Sequence, residues 1–164
     1  MASFAGFVAL HLIAKRCFQM SGTYQRLPAA KQIDWVNRLS SVVHALLSAQ
    51  CALRCLPEAL EDPISGHCDL FPTYFTISLG YFIYDFAVLF KHPAEIGGLD
   101  MVFHHVFTST AMATYLHWHW AVAYTAIFLA FELTNPFIHG LKYLEDAGLA
   151  RMEFRPFVCV AMGT

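Results

Sequence analysis

Residues 71–90 (FPTYFTISLGYFIYDFAVLF) carry a single charge, Asp85, and residues 101–131 carry no Asp, Glu, Lys or Arg before Glu132. Runs of this length match a bilayer, because about 20 helical residues at roughly 1.5 Å each cover a hydrocarbon core of about 30 Å. Backbone groups in lipid must be satisfied internally, so such runs fold as helices. The expected fold class is all-α, a multi-pass transmembrane helical bundle. An ionisable side chain deep in such a run costs roughly 2.5 to 3.5 kcal/mol on insertion scales. Asp85, His104, His105 and Glu132 therefore need a structural or chemical reason to be there.

Composition agrees with the membrane class. The chain is 57% hydrophobic and 13% charged, with 15 Phe, against roughly 25% charge in soluble domains. Its basic residues are scattered between apolar segments and form no stripe, which argues against a nucleic-acid partner. The five cysteines do not read as a disulfide framework. Cys51 and Cys55 are one helical turn apart in an apolar run, Cys17 and Cys159 lie near the ends of others, and Cys68 is in a polar loop; small buried thiols are expected. The N-terminal run precedes Lys15 and Arg16 and has no basic residue before it, the charge order of a reverse anchor.

Five spans fit the lengths: about 2–19, 37–56, 71–90, 101–117 and 120–138. A sixth apolar run starts at Phe157 and stops at Thr164, too short to cross, so a C-terminally truncated bundle is expected. Two short spans are preferred to one long helix over 101–138, with the turn at His117–Trp120, since 38 helical residues would measure about 57 Å. With five spans, Lys15, Arg16, Arg26, Lys31, Arg38, Lys91, Lys142, Arg151 and Arg155 share one side, and only Arg54 does not. The positive-inside rule makes that side cytosolic and the N-terminus lumenal or exoplasmic. The opposite loop, 57–70, holds Glu58, Glu61, Asp62 and Asp69.

This topology puts His44, Asp85, His104, His105 and Glu132 in one layer, roughly 6 to 9 Å inside the cytosolic boundary. Pairing a carboxylate with an imidazole would offset part of the cost of burying both. His44, alone on its segment, reads as a packing or interfacial histidine. Asp85 and Glu132 read equally as ties between helices and as parts of a site. His104 and His105 are the best candidates for chemistry, with rings about 100° apart on a helix, and Thr108 and Ser109 stand four residues on, in reach of the respective rings. One histidine pair, with His92, His117 and His119 near the membrane edges, falls short of a metal centre, and no metal or cofactor is expected. No G-x-S-x-G or phosphate loop occurs.

The stretches WVNRLSSVVHALLSA (35–49), LGYFIYD (79–85), HHVFTS (104–109) and FELTNPFIHGLKYLEDAG (131–148), in this order, resemble the TLC domain family. That family of endoplasmic-reticulum membrane proteins includes the ceramide synthases, translocation-associated membrane proteins and a group of lipid regulators. The resemblance implies an N-terminal anchor and basic loop (1–32) before a partial TLC domain (33–164). It implies a role in membrane lipid homeostasis, with membrane lipids as partners and a lipid-binding polar cluster near the cytosolic leaflet. In the synthases, the pair matching His104 and His105 is implicated in acyl transfer from acyl-CoA to a sphingoid base, and Thr108 also matches that signature. Where the synthases continue with a second His-Asp and a further Asp, this chain has Glu132 and Asn135 in FELTNPF, the version of the non-synthase members. Asp85, Thr108, Glu132 and Asn135 are thus expected to support the site or bind substrate. Three readings stand: a lipid-homeostasis protein, a ceramide synthase-like N-acyltransferase, and a non-catalytic membrane chaperone or cargo receptor.

Overall fold

A computed structural model describes residues 2–96, 98–118 and 122–149. Among them every regular element is helical: α1 (Ala2–Gln19), α2 (Gly22–Arg26), α3 (Ala29–Glu61), α4 (Leu70–Lys91), α5 (Pro93–Ile96), α6 (Leu99–Trp118), α7 (Val122–Phe131), a 3-10 turn (Glu132–Thr134) and α8 (Asn135–Asp146). Of these, α3 and α4 are long and apolar enough to cross a membrane. α1 and α6 fall outside that class because Lys15, Arg16 and the polar HHVFTST stretch dilute them. α6 and α7 are separate helices, as expected, although α7 has 10 residues and is shorter than the expected span. Residues 119 and 120 of the expected turn, Arg151, Arg155, Cys159 and the run from Phe157 lie outside the described residues.

Long helices consecutive in the chain alternate in direction. Asn37 meets Asp85 while Cys55 meets Cys68, so α3 and α4 are antiparallel. Asp85 meets His105 while Phe75 meets Tyr115, so α4 and α6 are antiparallel too. α1 runs parallel to α4, with Ser3 against Thr76 and His11 against Tyr84. That crossing is close because Gly80 has no side chain; a Cβ there would collide with the Ser3 side chain and the Phe4 amide. α7 and α8 follow α3 back, from Ala123 bonded to the Pro63 carbonyl to Tyr143 bonded to the Trp35 carbonyl. α3 and α7 are in close contact, and small buried residues of both, Ala52 and Ala59 with Ala123 and Ala126, belong to one core cluster, which lets the backbones approach.

Burial separates polar from apolar side chains in an uncommon way. Buried polar residues lie between helices, whereas Leu53, Ile83, Phe90, Phe103, Phe107 and Phe137 are exposed. A water-facing domain seldom carries so many large apolar side chains outside. Two sequence expectations change here. Cys55 and Cys68 form a disulfide that ties the end of α3 to the start of α4, whereas Cys17 and Cys51 are free thiols. The spacing of 13 residues is invisible as a pair until α3 and α4 fold back on each other. The basic loop before residue 33 also holds the short helix α2, capped by the Ser21 hydroxyl, which accepts from the Tyr24 amide.

At the basic end an aromatic clamp fixes α8. Phe18, Tyr24, Trp35 and Tyr143 pack together, the last two edge to face with centroids 4.9 Å apart. Asp146 accepts from Trp35 Nε1 at 2.8 Å and pairs with Lys31. Partial burial pushes the Asp146 carboxyl up, but the hydrogen bonds from Lys31 and Trp35 and the nearby Lys31 and Arg38 charges outweigh it and hold the carboxyl below its ordinary range.

Candidate functional site

The α3 sequence NRLSSVVHALLS places Asn37, Ser40, Ser41, His44 and Ser48 at spacings of three and four, on one face. On α4, Tyr74, Ser78, Tyr81 and Asp85 repeat the pattern, with Tyr84 beside it. These faces meet in an interlocked polar seam. His44 Nε2 lies 3.0 Å from the Ser78 hydroxyl, and its ring stacks on Tyr81 with centroids 4.0 Å apart and planes 10° apart. Ser41 and Tyr81 hydroxyls are 3.0 Å apart, and Ser48 bonds Tyr74. His44 is buried and satisfied, the packing role expected of it. The rest of the seam was missed, although its three-and-four spacing is present in the sequence. Single Ser and Tyr residues carry little signal until two such faces are paired.

The seam ends at Asp85. Asn37 Nδ2 donates to Asp85 Oδ1 at 2.8 Å, and the Tyr84 hydroxyl donates to Asn37 Oδ1 at 3.0 Å. With its one proton committed to Asn37, Tyr84 oxygen accepts from His11 Nδ1 at 2.7 Å and from Ser40 at 3.4 Å. Asp85 Oδ2 then faces His105 Nε2 at 2.6 Å, and both side chains are 3% exposed. His105 Nδ1 donates to the Met101 carbonyl at 2.8 Å, which can only accept, so Nδ1 carries a proton. The Nε2 approach is an ion-pair contact whose alignment falls short of a hydrogen bond. His105 is thereby clamped: its backbone carbonyl partner sets the ring, and Asp85 stands ready to balance a second proton.

His104, one residue earlier, has its ring at 81° to that of His105 and its side chain 48% exposed. Its Nε2 is 3.8 Å from Glu132 Oε1, an ion-pair distance that leaves the nitrogen without a hydrogen bond. Glu132 is held by Asn135, whose Nδ2 donates to Oε2 at 2.6 Å. Both sit where α7 gives way to the 3-10 turn and then to α8, whose first turn carries Pro136. Proline tolerates that position because its missing N–H needs no helical partner. The change of helix type turns Glu132 and Asn135 to the same side.

His104, Thr108, Glu132 and Asn135 line one cavity of about 400 Å³, with Phe107, Met112 and Phe128 among its apolar walls. Asp85 and His105 lie behind it and do not line it. Thr108 differs from its expected use: its hydroxyl donates to the His104 carbonyl at 2.8 Å and not to the ring, and the Ser109 hydroxyl has no partner among the described residues. On a helix, a hydroxyl four residues on reaches the backbone carbonyl more easily than a ring that swings outward. No three His, Cys, Asp or Glu side chains among the described residues are grouped to hold a metal ion. The arrangement offers an imidazole beside a carboxylate at a partly apolar cavity, with a second, sealed imidazole–carboxylate pair behind it.

A family model described as the TLC domain matches residues 34–163. TLC domain-containing protein 4-B of Danio rerio is 33% identical over 132 residues, which are 78% of this chain and 50% of that protein. TLC domain-containing protein 4 of Xenopus tropicalis is 31% identical over 158 residues, 93% of this chain and 61% of that protein. TLC domain-containing protein 2 of Homo sapiens is 29% identical over 146 residues, 87% and 53% of the two chains. The chain spans about half the length of the curated relatives it matches. No solved structure matches it.

Proposed function

We propose that this chain, which belongs to the TLC domain family, acts in membrane lipid homeostasis and takes part of a lipid into the cavity beside His104. The observation that carries the reading is the make-up of that cavity. Its walls are largely apolar, with His104, Thr108, Glu132 and Asn135 among its polar lining beside His44, Thr125 and Thr134. Such a lining suits an amphiphile whose polar atoms meet the imidazole and carboxylate while a hydrocarbon tail lies along Phe107 and Phe128. Its volume is within the roughly 300 to 1,000 Å³ of small-molecule sites.

In this reading α1, α3, α4, α6 and the stretch from α7 to residue 138 cross the endoplasmic-reticulum membrane in turn. The alternation of helix directions and the exposed apolar residues support five crossings. The basic end is cytosolic, and the acidic end is lumenal. The Cys55–Cys68 disulfide supports that orientation, because disulfides persist in oxidising compartments. Photo-crosslinking the purified protein with a diazirine-bearing sphingoid base or phospholipid tests the cavity. Label should fall on α6 and α7 around Phe107 and Phe128 and decline in Ala111→Trp, which fills the space. Labelling spread over all helices and indifferent to Ala111→Trp would overturn the reading.

One observation favours a second reading, acyl-CoA-dependent N-acylation: His104 Nε2 lacks a hydrogen bond and faces the cavity beside Glu132. There it would accept the proton released as a sphingoid-base amine attacks the thioester carbonyl. The N–C bond forms, the C–S bond breaks, and the proton passes to the departing thiolate. His105 would position and electrostatically support His104 without touching substrate. Amide formation by wild type and its loss in His104→Ala would establish this activity; equal product from both would remove it.

A further inference from the structure

A second concave surface lies away from this cavity, at the basic end of the bundle between α1, α4 and the start of α3. It encloses about 470 Å³. Its walls are apolar, including Phe4, Val8, Leu12, Val36 and Val88. Its rim carries Lys15 and Lys91, both exposed, together with His11 and His92. No carboxylate lines it, and neither lysine has an ion-pair partner among the described residues. Of the other cations nearby, Lys31 pairs with Asp146 and Arg38 pairs with Asp34, and neither lines the groove. Two lysines from different helices thus converge on one apolar groove with no counter-charge.

The charge and its depth define the occupant. Lys15 lies near the end of α1, and Lys91 is the last residue of α4, so both stand at the boundary where the apolar helices end. An anion there must bring a hydrocarbon tail to fill the groove below. We infer that the groove between α1, α3 and α4 is a binding site for an anionic phospholipid of the leaflet at the basic end, with its phosphate between Lys15 and Lys91 and an acyl chain along Val8, Leu12 and Val88. A zwitterionic lipid supplies the same chain but offsets its phosphate with its own cation. The site therefore discriminates by headgroup. It is distinct from the His104 cavity, and neither site depends on the other being occupied.

Lysines near an anionic surface each strengthen binding by about fivefold, so the pair should supply roughly twentyfold or more. The test is native mass spectrometry of the intact chain released from detergent, equilibrated with equimolar phosphatidylglycerol and phosphatidylcholine of identical acyl chains. Wild type should retain the anionic lipid in excess. Lys15→Ala/Lys91→Ala should abolish the preference while retaining the remaining weak binding, and Val8→Trp should reduce both lipids by obstructing the groove. Lys142→Ala, at a half-exposed lysine paired with Glu145 elsewhere on the bundle, should leave the preference intact and controls for charge alone. Equal retention of the two lipids by wild type would overturn the inference, as would an unchanged preference in the double variant. Displacement of the lipid by soluble glycerol phosphate would overturn the assignment to a lipid, and concentration-dependent dimers with no bound lipid would assign the groove to a second copy of the chain. Ala111→Trp, which fills the other cavity, should leave this preference unchanged, so the two sites fail separately.

Discussion

Two histidines adjacent in sequence occupy opposite environments. His105 is sealed between α4 and α6 with a carboxylate at 2.6 Å and a carbonyl on its other nitrogen, whereas His104 is half exposed at a cavity with a carboxylate at 3.8 Å. The cause is the helix itself, which turns about 100° per residue, so neighbours cannot share a face. The sealed pair has the burial and connections of a structural tie, with Asp85 held further by Asn37. The open pair has room for another molecule. A reactive group needs both properties, a fixed position and access, and here they are divided between neighbouring residues.

Removing one side of the sealed pair should produce the largest effect. Asp85→Ala removes the acceptor of Asn37 and the carboxylate paired with His105, and should cost about 3 to 5 kcal/mol, the range for breaking one side of a buried ion pair. Thermal melts in detergent measure it. A loss below about 1 kcal/mol would show that the 2.6 Å contact contributes little and would weaken the contrast between the pairs.

The clamp of α8 should have a smaller and pH-dependent effect. Asp146→Asn should lower stability by about 1 kcal/mol at pH 7 through lost charge-assisted bonds to Lys31 and Trp35, since Lys31 is largely exposed. The folded Asp146 carboxyl is held below its unfolded value of about 3.9, so its stabilisation is complete above that pH and disappears as pH falls through the folded value. Melting temperatures of wild type and variant should therefore differ at pH 7 and draw together only as the pH falls below the ordinary carboxylate range and through the lowered folded value. A difference independent of pH would mean that Asp146 acts through packing.

The smallest stability effect belongs to the open pair. His104→Ala should change unfolding free energy by no more than about 0.5 kcal/mol, the usual range for exposed positions. The same variant should lose labelling of the His104 cavity by the photoactivatable lipid. A stability loss as large as that of Asp85→Ala would erase the distinction between the two histidines.

Much of this was legible in the sequence, for local reasons. Helical class followed from run lengths, and the separation of α6 from α7 from the excessive length of a single helix. The meeting of His105 with Asp85, and of His104 with Glu132, agrees with the expected polar layer, because the rise per residue converts sequence position into depth. Other features depend on how each helix is rotated about its axis. Asn37 and Tyr84 belong to the network only because α3 and α4 present particular faces, and Thr108 turns to its own backbone. The Cys55–Cys68 bond likewise requires two helix ends to be brought together.

By itself, the sequence determined that the chain is helical, and it pointed to a gathering of the described basic residues other than Arg54 at one end and to a meeting of carboxylates with imidazoles. These are one-dimensional properties, set by hydrophobicity and by a fixed rise per residue. Only the tertiary structure decided which histidine is sealed and which is open, which cysteines are joined, and that Lys15 and Lys91 rim one groove. Side-chain packing sets each helix's rotation and its neighbours, and one rotation of α6 fixes the surroundings of His104 and His105 together.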